Sequence, residues 1–272
     1  MNKLLAYIFV VLTLSWSYVA FIFNHLRGLV FLPLMMFIPG AVALSFRLLS
    51  HEGFRDLLRP LGLGRSWKAY IFSFFYPVLF IVSCAGIAYG LNLATFQSSQ
   101  IVQIIPQQGW FSFTFNILLV LGEEYGWRGY LLPLASRVFN QILAVIIVGV
   151  VWAFWHVPYL YISSQQFGAP DPLKLCMIQM VAVFVFSFPF SYLYFRAQSI
   201  LPAMIFHLTW NIFNPIILGS IYRNASGIMI GKVITINGEG ITGAILGCLF
   251  VGYYVRAWLK FSGKNSLISG DM

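Results

Sequence analysis

The chain has 272 residues, of which 60% are hydrophobic and only 8% are charged, and it carries a formal net charge of +9. Soluble domains carry about 25% charged residues, so this composition excludes an ordinary soluble domain and predicts an all-α polytopic membrane protein. The sequence has no linker, low-complexity tract or convincing repeat, which predicts a single domain over residues 1–272.

Eight apolar runs are long enough to cross a bilayer, which takes about 20 residues in a helix. They lie at 4–23, 29–49, 69–91, 110–134, 141–162, 173–195, 200–222 and 241–260. The first run lacks a small-residue cleavage site and is too long for a signal peptide, so it is interpreted as a true span. Four prolines lie inside spans and are expected to mark kinks, which membrane helices tolerate: Pro33, Pro39, Pro77 and Pro189.

The positive charges alternate between the loops in a way that predicts an orientation. With the N-terminus inside, the inner loops and tails hold eleven cations: Lys3, Arg47, Arg55, Arg59, Arg65, Lys68, Arg137, Arg196, Arg256, Lys260 and Lys264. The outer loops hold four: Arg27, Lys174, Arg223 and Lys232. The positive-inside rule therefore predicts that both termini lie inside, and the basic balance indicates topology rather than nucleic acid binding.

Two features outside the central spans have several interpretations. The segment 51–68 carries four of these cations among apolar residues, so it is either an amphipathic piece on the inner leaflet or an ordinary solvated loop. Cys84, Cys176 and Cys248 fall within apolar segments without metal-type spacing, which predicts buried small side chains rather than disulfides.

The run 110–134 contains two adjacent acids, Glu123 and Glu124. An acidic residue at the centre of a membrane helix costs roughly 2.5–3.5 kcal/mol, which favours a functional role. Arg128 follows Glu124 by four residues, a spacing that suits an ion pair, while Glu123 points about 100° away. Three glycines, Gly122, Gly126 and Gly129, would let another helix or a substrate backbone approach closely.

Two later spans carry the other buried polar groups, His156 in 141–162 and the pair His207 and Asn211 in 200–222. His207 and Asn211 are four residues apart and share a helix face. A carboxylate can act as general base on water, a histidine can hold the water or protonate the leaving amine, and His and Asn can stabilise an oxyanion. Taken singly, each His or Asn is equally well explained as an interhelical hydrogen-bond donor.

The strings 123-EEYGWR-128, 152-WAFWH-156 and 207-HLTWN-211 resemble the three motifs of the CAAX-processing and bacteriocin-immunity (CPBP) membrane proteases, of the type II CAAX prenyl endopeptidase kind. The motif-bearing core covers about residues 110–215. The resemblance implies that Glu123 activates water with help from His156, that His207 and Asn211 form the oxyanion site, and that Glu124 and Arg128 support the first glutamate. Trp152 is a departure, because Phe is common there.

The resemblance favours a glutamate-dependent site without metal or other cofactor. Zinc is the alternative, because Glu123, His156 and His207 form a possible ligand set with water in the fourth position. The sequence lacks the H-E-x-x-H signature of common zinc proteases.

The resemblance implies a prenylated CAAX protein as substrate, or another apolar peptide that enters from the lipid bilayer. The membrane would be the cell membrane in a prokaryote and the endoplasmic reticulum in a eukaryote. Other classes remain open: a proton-coupled transporter, a haem protein using His156 and His207, and a bacteriocin-immunity protein without CAAX-processing activity. An aspartyl protease is excluded because Asp56, Asp171 and Asp271 lie outside the spans.

Overall fold

The computed structural model describes residues 1–26, 28–104 and 110–268. Arg27 and Asp271 lie outside the described residues, and the side chains of Lys260 and Lys264 are not described. In the described part, twelve α-helices have these bounds: α1 Asn2–Phe21, α2 Phe37–Leu49, α3 Phe54–Leu58, α4 Trp67–Gly90, α5 Ser99–Ile104, α6 Trp110–Gly126, α7 Leu132–Ser136, α8 Gln141–Gln166, α9 Pro172–Ala197, α10 Leu201–Leu218, α11 Val233–Ile236 and α12 Ile241–Ile268.

Irregular helical turns interrupt or extend several of these helices. A π-helical turn, Ile22–Leu26, extends α1, and a 3-10 helix, Leu29–Met36, leads into α2. A short 3-10 turn, Arg59–Leu61, follows α3. A second π-helical turn, Trp127–Leu131, joins α6 directly to α7, so the chain is helical from Trp110 to Ser136.

Two short strands pair in the loops at one end of the bundle. The strands β1, Ala94–Phe96, and β2, Met229–Gly231, are antiparallel, with Thr95 opposite Ile230. This long-range pairing joins the loop after α4 to the loop after α10. The fold is therefore all-α apart from this pair within the described residues, as the composition predicts.

Seven helices in the described part are long and apolar enough to cross a membrane, one fewer than the eight predicted. The predicted span 110–134 is the one that does not qualify. Its regular α-helix ends at Gly126. Glu123 and Glu124 in this helix, and Arg128 in the π-helical turn that follows, are buried inside the protein instead of facing lipid. The protein is an integral multi-pass membrane protein, and its orientation stays a prediction.

Most predicted boundaries lie within a few residues of the helix ends, but α12 extends to Ile268, eight residues beyond the predicted 260, and two other runs differ as well. The span predicted at 200–222 ends at Leu218, because Gly219 leaves the helix with φ +89°, a conformation that favours glycine. The run 29–49 is not one α-helix, since Pro33 lies in its 3-10 first part. Pro77 and Pro189 lie inside α4 and α9, which continue through them.

Helix α2 packs closely against α6, the helix of the two acids. A Cβ atom on Gly122 would lie 2.7 Å from the Met36 carbonyl oxygen, and one on Gly126 would overlap Pro39. Of the three glycines predicted to admit a helix or a substrate, Gly122 and Gly126 therefore admit α2, while Gly129 lies against Pro60 and Ile200. Further pairs, α8 with α9, α4 with α10 and α12 with α9, complete the packing around the site.

The two remaining sequence expectations have mixed outcomes. Cys84 and Cys176 are buried as predicted, but Cys248 is exposed on α12, because its helix face is directed away from the bundle. In the segment 51–68, large apolar side chains face outwards, including Phe54 and Trp67. This exposure favours the amphipathic interpretation over an ordinary solvated loop.

Candidate active site

The three sequence motifs meet around one cavity of about 680 Å³. Helix α6 contributes Glu123, α8 contributes His156, and α10 contributes His207 and Asn211, and all four side chains line this cavity. Glu123, His156 and His207 are buried. Residues that lie up to 88 positions apart in the sequence are thus assembled around a single cavity.

Two tryptophan side chains hold the carboxylate of Glu123. The indole Nε1 of Trp152 donates to Glu123 Oε2 at 2.9 Å, and the indole Nε1 of Trp127 donates to the same oxygen at 3.3 Å. Both tryptophans are buried. Because both donors bind Oε2, the carboxylate has a fixed orientation and its other oxygen, Oε1, is left for a ligand in the cavity.

Glu124 lies outside the cavity lining and contacts two partners. Its Oε1 accepts from Arg128 Nη1 at 3.2 Å and from His207 Nδ1 at 2.9 Å. Glu124 and Arg128 have no exposed side-chain surface, so the ion pair expected from their spacing forms in the protein interior. Glu124 therefore orients His207 directly.

Arg128 is connected to Glu123 through the side chain of Trp152. Its guanidinium lies 4.0 Å from the centre of the Trp152 ring and 4.4 Å from that of Phe190. Cation–π contacts of this kind are stronger when the cation is desolvated. Arg128 thus packs against the same tryptophan that donates to Glu123.

The two histidines each have one ring nitrogen engaged. His156 Nδ1 lies 2.7 Å from the Trp152 carbonyl oxygen, which requires the proton on Nδ1, since a carbonyl can only accept. His207 Nδ1 donates to Glu124 Oε1. In both residues Nε2 is the nitrogen left for a water or a substrate.

Asn211 has a partner that the sequence reasoning missed. Its Nδ2 donates to Oδ1 of Asn116 at 3.2 Å, and Asn116 also lines the cavity. Asn116 precedes Glu123 by seven residues, two helical turns, so the two side chains share a face of α6. That spacing was the available signal. Trp127 follows Glu123 by four residues, which is the same kind of signal, whereas the contact of Trp152 with Glu123 between two helices has none.

The possible zinc ligands Glu123, His156 and His207 lie on three different helices. Within the described part of the chain, no group of three His, Cys, Asp or Glu side chains is placed to hold a metal ion. The metal-free site and the zinc alternative of Glu123, His156 and His207 both stay predictions.

Comparison with known proteins gives an independent result. A family model described as type II CAAX prenyl endopeptidase Rce1-like matches residues 105–213, which contain all three motifs. The family resemblance inferred from the motifs is thereby confirmed, and the match implies a protease. No curated protein matches the chain.

Proposed function

We propose that this chain, whose residues 105–213 match the Rce1-like family, is an intramembrane endopeptidase for prenylated CAAX proteins or other apolar, membrane-associated peptides. One observation carries the proposal: Glu123, His156, His207 and Asn211, drawn from three helices, line the same cavity. A general base, a second acid–base group and two potential oxyanion donors are the minimum set for peptide hydrolysis by water.

The first step is activation of water. Glu123 Oε2 is occupied by Trp152 and Trp127, so Oε1 accepts the proton of a water held between Glu123 and His156 Nε2. The resulting hydroxide attacks the carbonyl carbon of the scissile peptide bond. A new C–O bond forms, and the carbonyl π electrons move to the oxygen.

The tetrahedral oxyanion is stabilised from α10. Asn211 has one amide N–H that is not directed at Asn116 and can donate to the oxyanion. His207 in its imidazolium form donates from both ring nitrogens, with Nδ1 on Glu124 and Nε2 on the oxyanion. Fixed donors of this type stabilise the transition state more than the ground state.

Collapse of the tetrahedral intermediate completes the reaction. The C–N bond breaks as the oxyanion electrons re-form the carbonyl, and the proton taken up by Glu123 passes to the leaving amine, directly or through His156. The products are a carboxylic acid and a free amine, and Glu123 returns to its carboxylate form. The proposed mechanism uses no metal ion.

The wall of the cavity beside α6 supports an apolar substrate. The 3-10 helix Leu29–Met36 contributes Leu29, Val30, Pro33 and Met36 to the lining, and Val30 is 77% exposed. An apolar chain arriving from the bilayer would contact only hydrocarbon there. A prenyl group or an apolar peptide segment satisfies this requirement.

The proposal is tested by incubating the purified protein with a farnesylated C-a-a-X peptide and with its unprenylated counterpart. We expect release of the terminal tripeptide from the farnesylated peptide, measured by mass spectrometry. Cleavage of both peptides at the same rate would indicate an apolar-peptide protease without prenyl selectivity. The absence of hydrolysis of either peptide, and of apolar membrane peptides, would contradict the proposed function.

A further inference from the structure

The cavity continues well beyond the catalytic groups. Along α8 its lining runs from Trp152 through Tyr159 to Phe167. Fifteen residues of α-helix advance about 22 Å, so the cavity extends along most of the second half of α8. It reaches the end of the bundle at which α8 and α10 both finish.

The far end of the cavity has a polar wall whose groups are already engaged. Glu239 Oε1 accepts from Trp210 Nε1 at 2.8 Å, and Glu239 Oε2 accepts from Gln179 Nε2 at 2.8 Å. Gln179 also contacts the Tyr222 hydroxyl at 2.6 Å, and the Tyr222 ring lies 4.8 Å from that of Tyr159. This network fixes the wall and leaves the Glu239 carboxylate satisfied by neutral donors.

Arg223 is the positively charged residue at the far end of the cavity. Among the described residues that line the cavity it is the single lysine or arginine, and its side chain is exposed. Its guanidinium makes no hydrogen bond or ion pair with any described residue. Its backbone is nevertheless held, because Arg223 N donates to Ser220 Oγ at 3.3 Å and Ser220 pairs with Ala225.

We infer that Arg223 binds the C-terminal carboxylate of the peptide substrate, an inference that rests on the proposed function. A guanidinium at the end of an elongated cavity is a bidentate partner for a carboxylate. Tyr222, next to Arg223, packs against Tyr159, which follows His156 by three residues, or about 4.5 Å of helix. Three extended residues span about 10 Å, enough to extend from His156 past this pair of rings.

This geometry assigns the two directions of the substrate. The scissile bond lies beside Glu123 and Asn211, and the three residues after it extend along α8 and α10 towards Arg223. The part before the scissile bond, with its prenyl or other apolar group, then lies towards the 3-10 helix Leu29–Met36. The enzyme would therefore select peptides whose free C-terminus lies three residues after the scissile bond.

The inference is tested by binding, so that it does not depend on turnover. Protein with Glu123→Gln is titrated with a fluorescent farnesylated C-a-a-X peptide ending in a free carboxylate and with the same peptide ending in an amide. We expect the free acid to bind roughly ten-fold more tightly, the gain of one charge-assisted contact at a partly exposed site. Arg223→Gln should abolish the difference, while Arg223→Lys should retain part of it.

Lys232→Gln is the matched control, because Lys232 is an exposed cation in the same loop that does not line the cavity. It should keep the full preference for the acid. Equal affinity for acid and amide, no binding of the acid peptide, or an undiminished preference in Arg223→Gln would overturn the inference. Hydrolysis of acid and amide peptides with equal kcat/KM by wild-type protein would leave the proposed function standing and reject Arg223 alone. Tighter binding of the acid than of the amide, without hydrolysis of either peptide, would support the role of Arg223 and contradict the proposed function.

Discussion

The indole of Trp152 makes a contact that the phenylalanine common at this position cannot make. Its N–H donates to Glu123 Oε2, and its ring makes a cation–π contact with the Arg128 guanidinium. Trp152 thereby links Arg128 to Glu123, the proposed general base. In the sequence Trp152 is only a departure from the common Phe, because the motif shows aromatic character and not the indole contact.

Trp152→Phe should keep the fold and the stacking but lose the hydrogen bond. A hydrogen bond to a charged group contributes about 1.5–3 kcal/mol, so kcat should fall roughly ten-fold or more, with Trp127 preserving part of the orientation. Trp155→Phe is the control, since the Trp155 indole donates to Ser15 Oγ instead. Equal kcat in both variants would show that the indole contact does not orient Glu123.

Asn211 tests the oxyanion assignment. If its amide binds the developing oxyanion, Asn211→Ala should lower kcat by about 10²–10³ with little change in KM. Asn116→Ala serves for comparison, because Asn116 accepts from Asn211 Nδ2 and lines the same cavity, so this variant removes the partner of Asn211 and keeps its amide. A rise in KM at constant kcat for Asn211→Ala would instead assign Asn211 to uniform substrate binding.

At the scale of elements, the position of α6, the helix of Glu123 and Glu124, is determined by the side chains that pack against it. The π-helical turn Trp127–Leu131 follows the two acids, and its Gly129 carbonyl accepts from Arg47 Nη2 at 2.7 Å. The Gly126 carbonyl accepts from the Tyr7 hydroxyl at 3.1 Å. Side chains from α1 and α2 thus satisfy carbonyl groups in and beside the wide turn that carries Arg128.

Gly126→Ala tests the close approach of α2 and α6. The added Cβ would overlap Pro39, and relief of such overpacking typically costs about 1–3 kcal/mol. We expect a lower melting temperature and lower activity, because displacement of α6 moves Glu123 and Glu124 together. Gly86→Ala on α4 is the matched control, since a Cβ there meets nothing within 4 Å. Unchanged stability in Gly126→Ala would contradict the tight interface.

The sequence predicted the elements of the site better than the connections between them. Apolar length located the spans, and helical spacing placed His207 with Asn211 and Glu124 with Arg128. The contacts of Glu123 with Trp152 and of Glu124 with His207 depend on how one helix is rotated against another, which local periodicity does not encode. The run 29–49 divides into a 3-10 helix and α2, and α10 ends at Leu218. Both features depend on local backbone geometry, which the length of an apolar run does not show.

At the scale of the whole molecule, the distribution of cations predicts an orientation. With the N-terminus inside, the loop containing Arg223 and Lys232 lies outside and the segment 51–68 lies inside. In a Cys248→Ala background, an impermeant maleimide applied to intact cells should label Lys232→Cys but leave Arg55→Cys unlabelled until the membrane is permeabilised. Both side chains are exposed in the structure. The reverse pattern would invert the topology and the side from which the cavity is reached.

The central claim is that Glu123 is the general base of a peptide hydrolase, and Glu123→Gln tests it most directly. Gln keeps the size of the side chain and an oxygen able to accept from Trp152 and Trp127, but it cannot take a proton from water. The measurement is kcat for a farnesylated C-a-a-X peptide, with melting temperature and peptide binding as checks on folding. General-base catalysis contributes about 10²–10⁴, so kcat should fall by at least about a hundred-fold while binding is retained. A folded Glu123→Gln protein that keeps more than about a tenth of wild-type kcat would contradict the account.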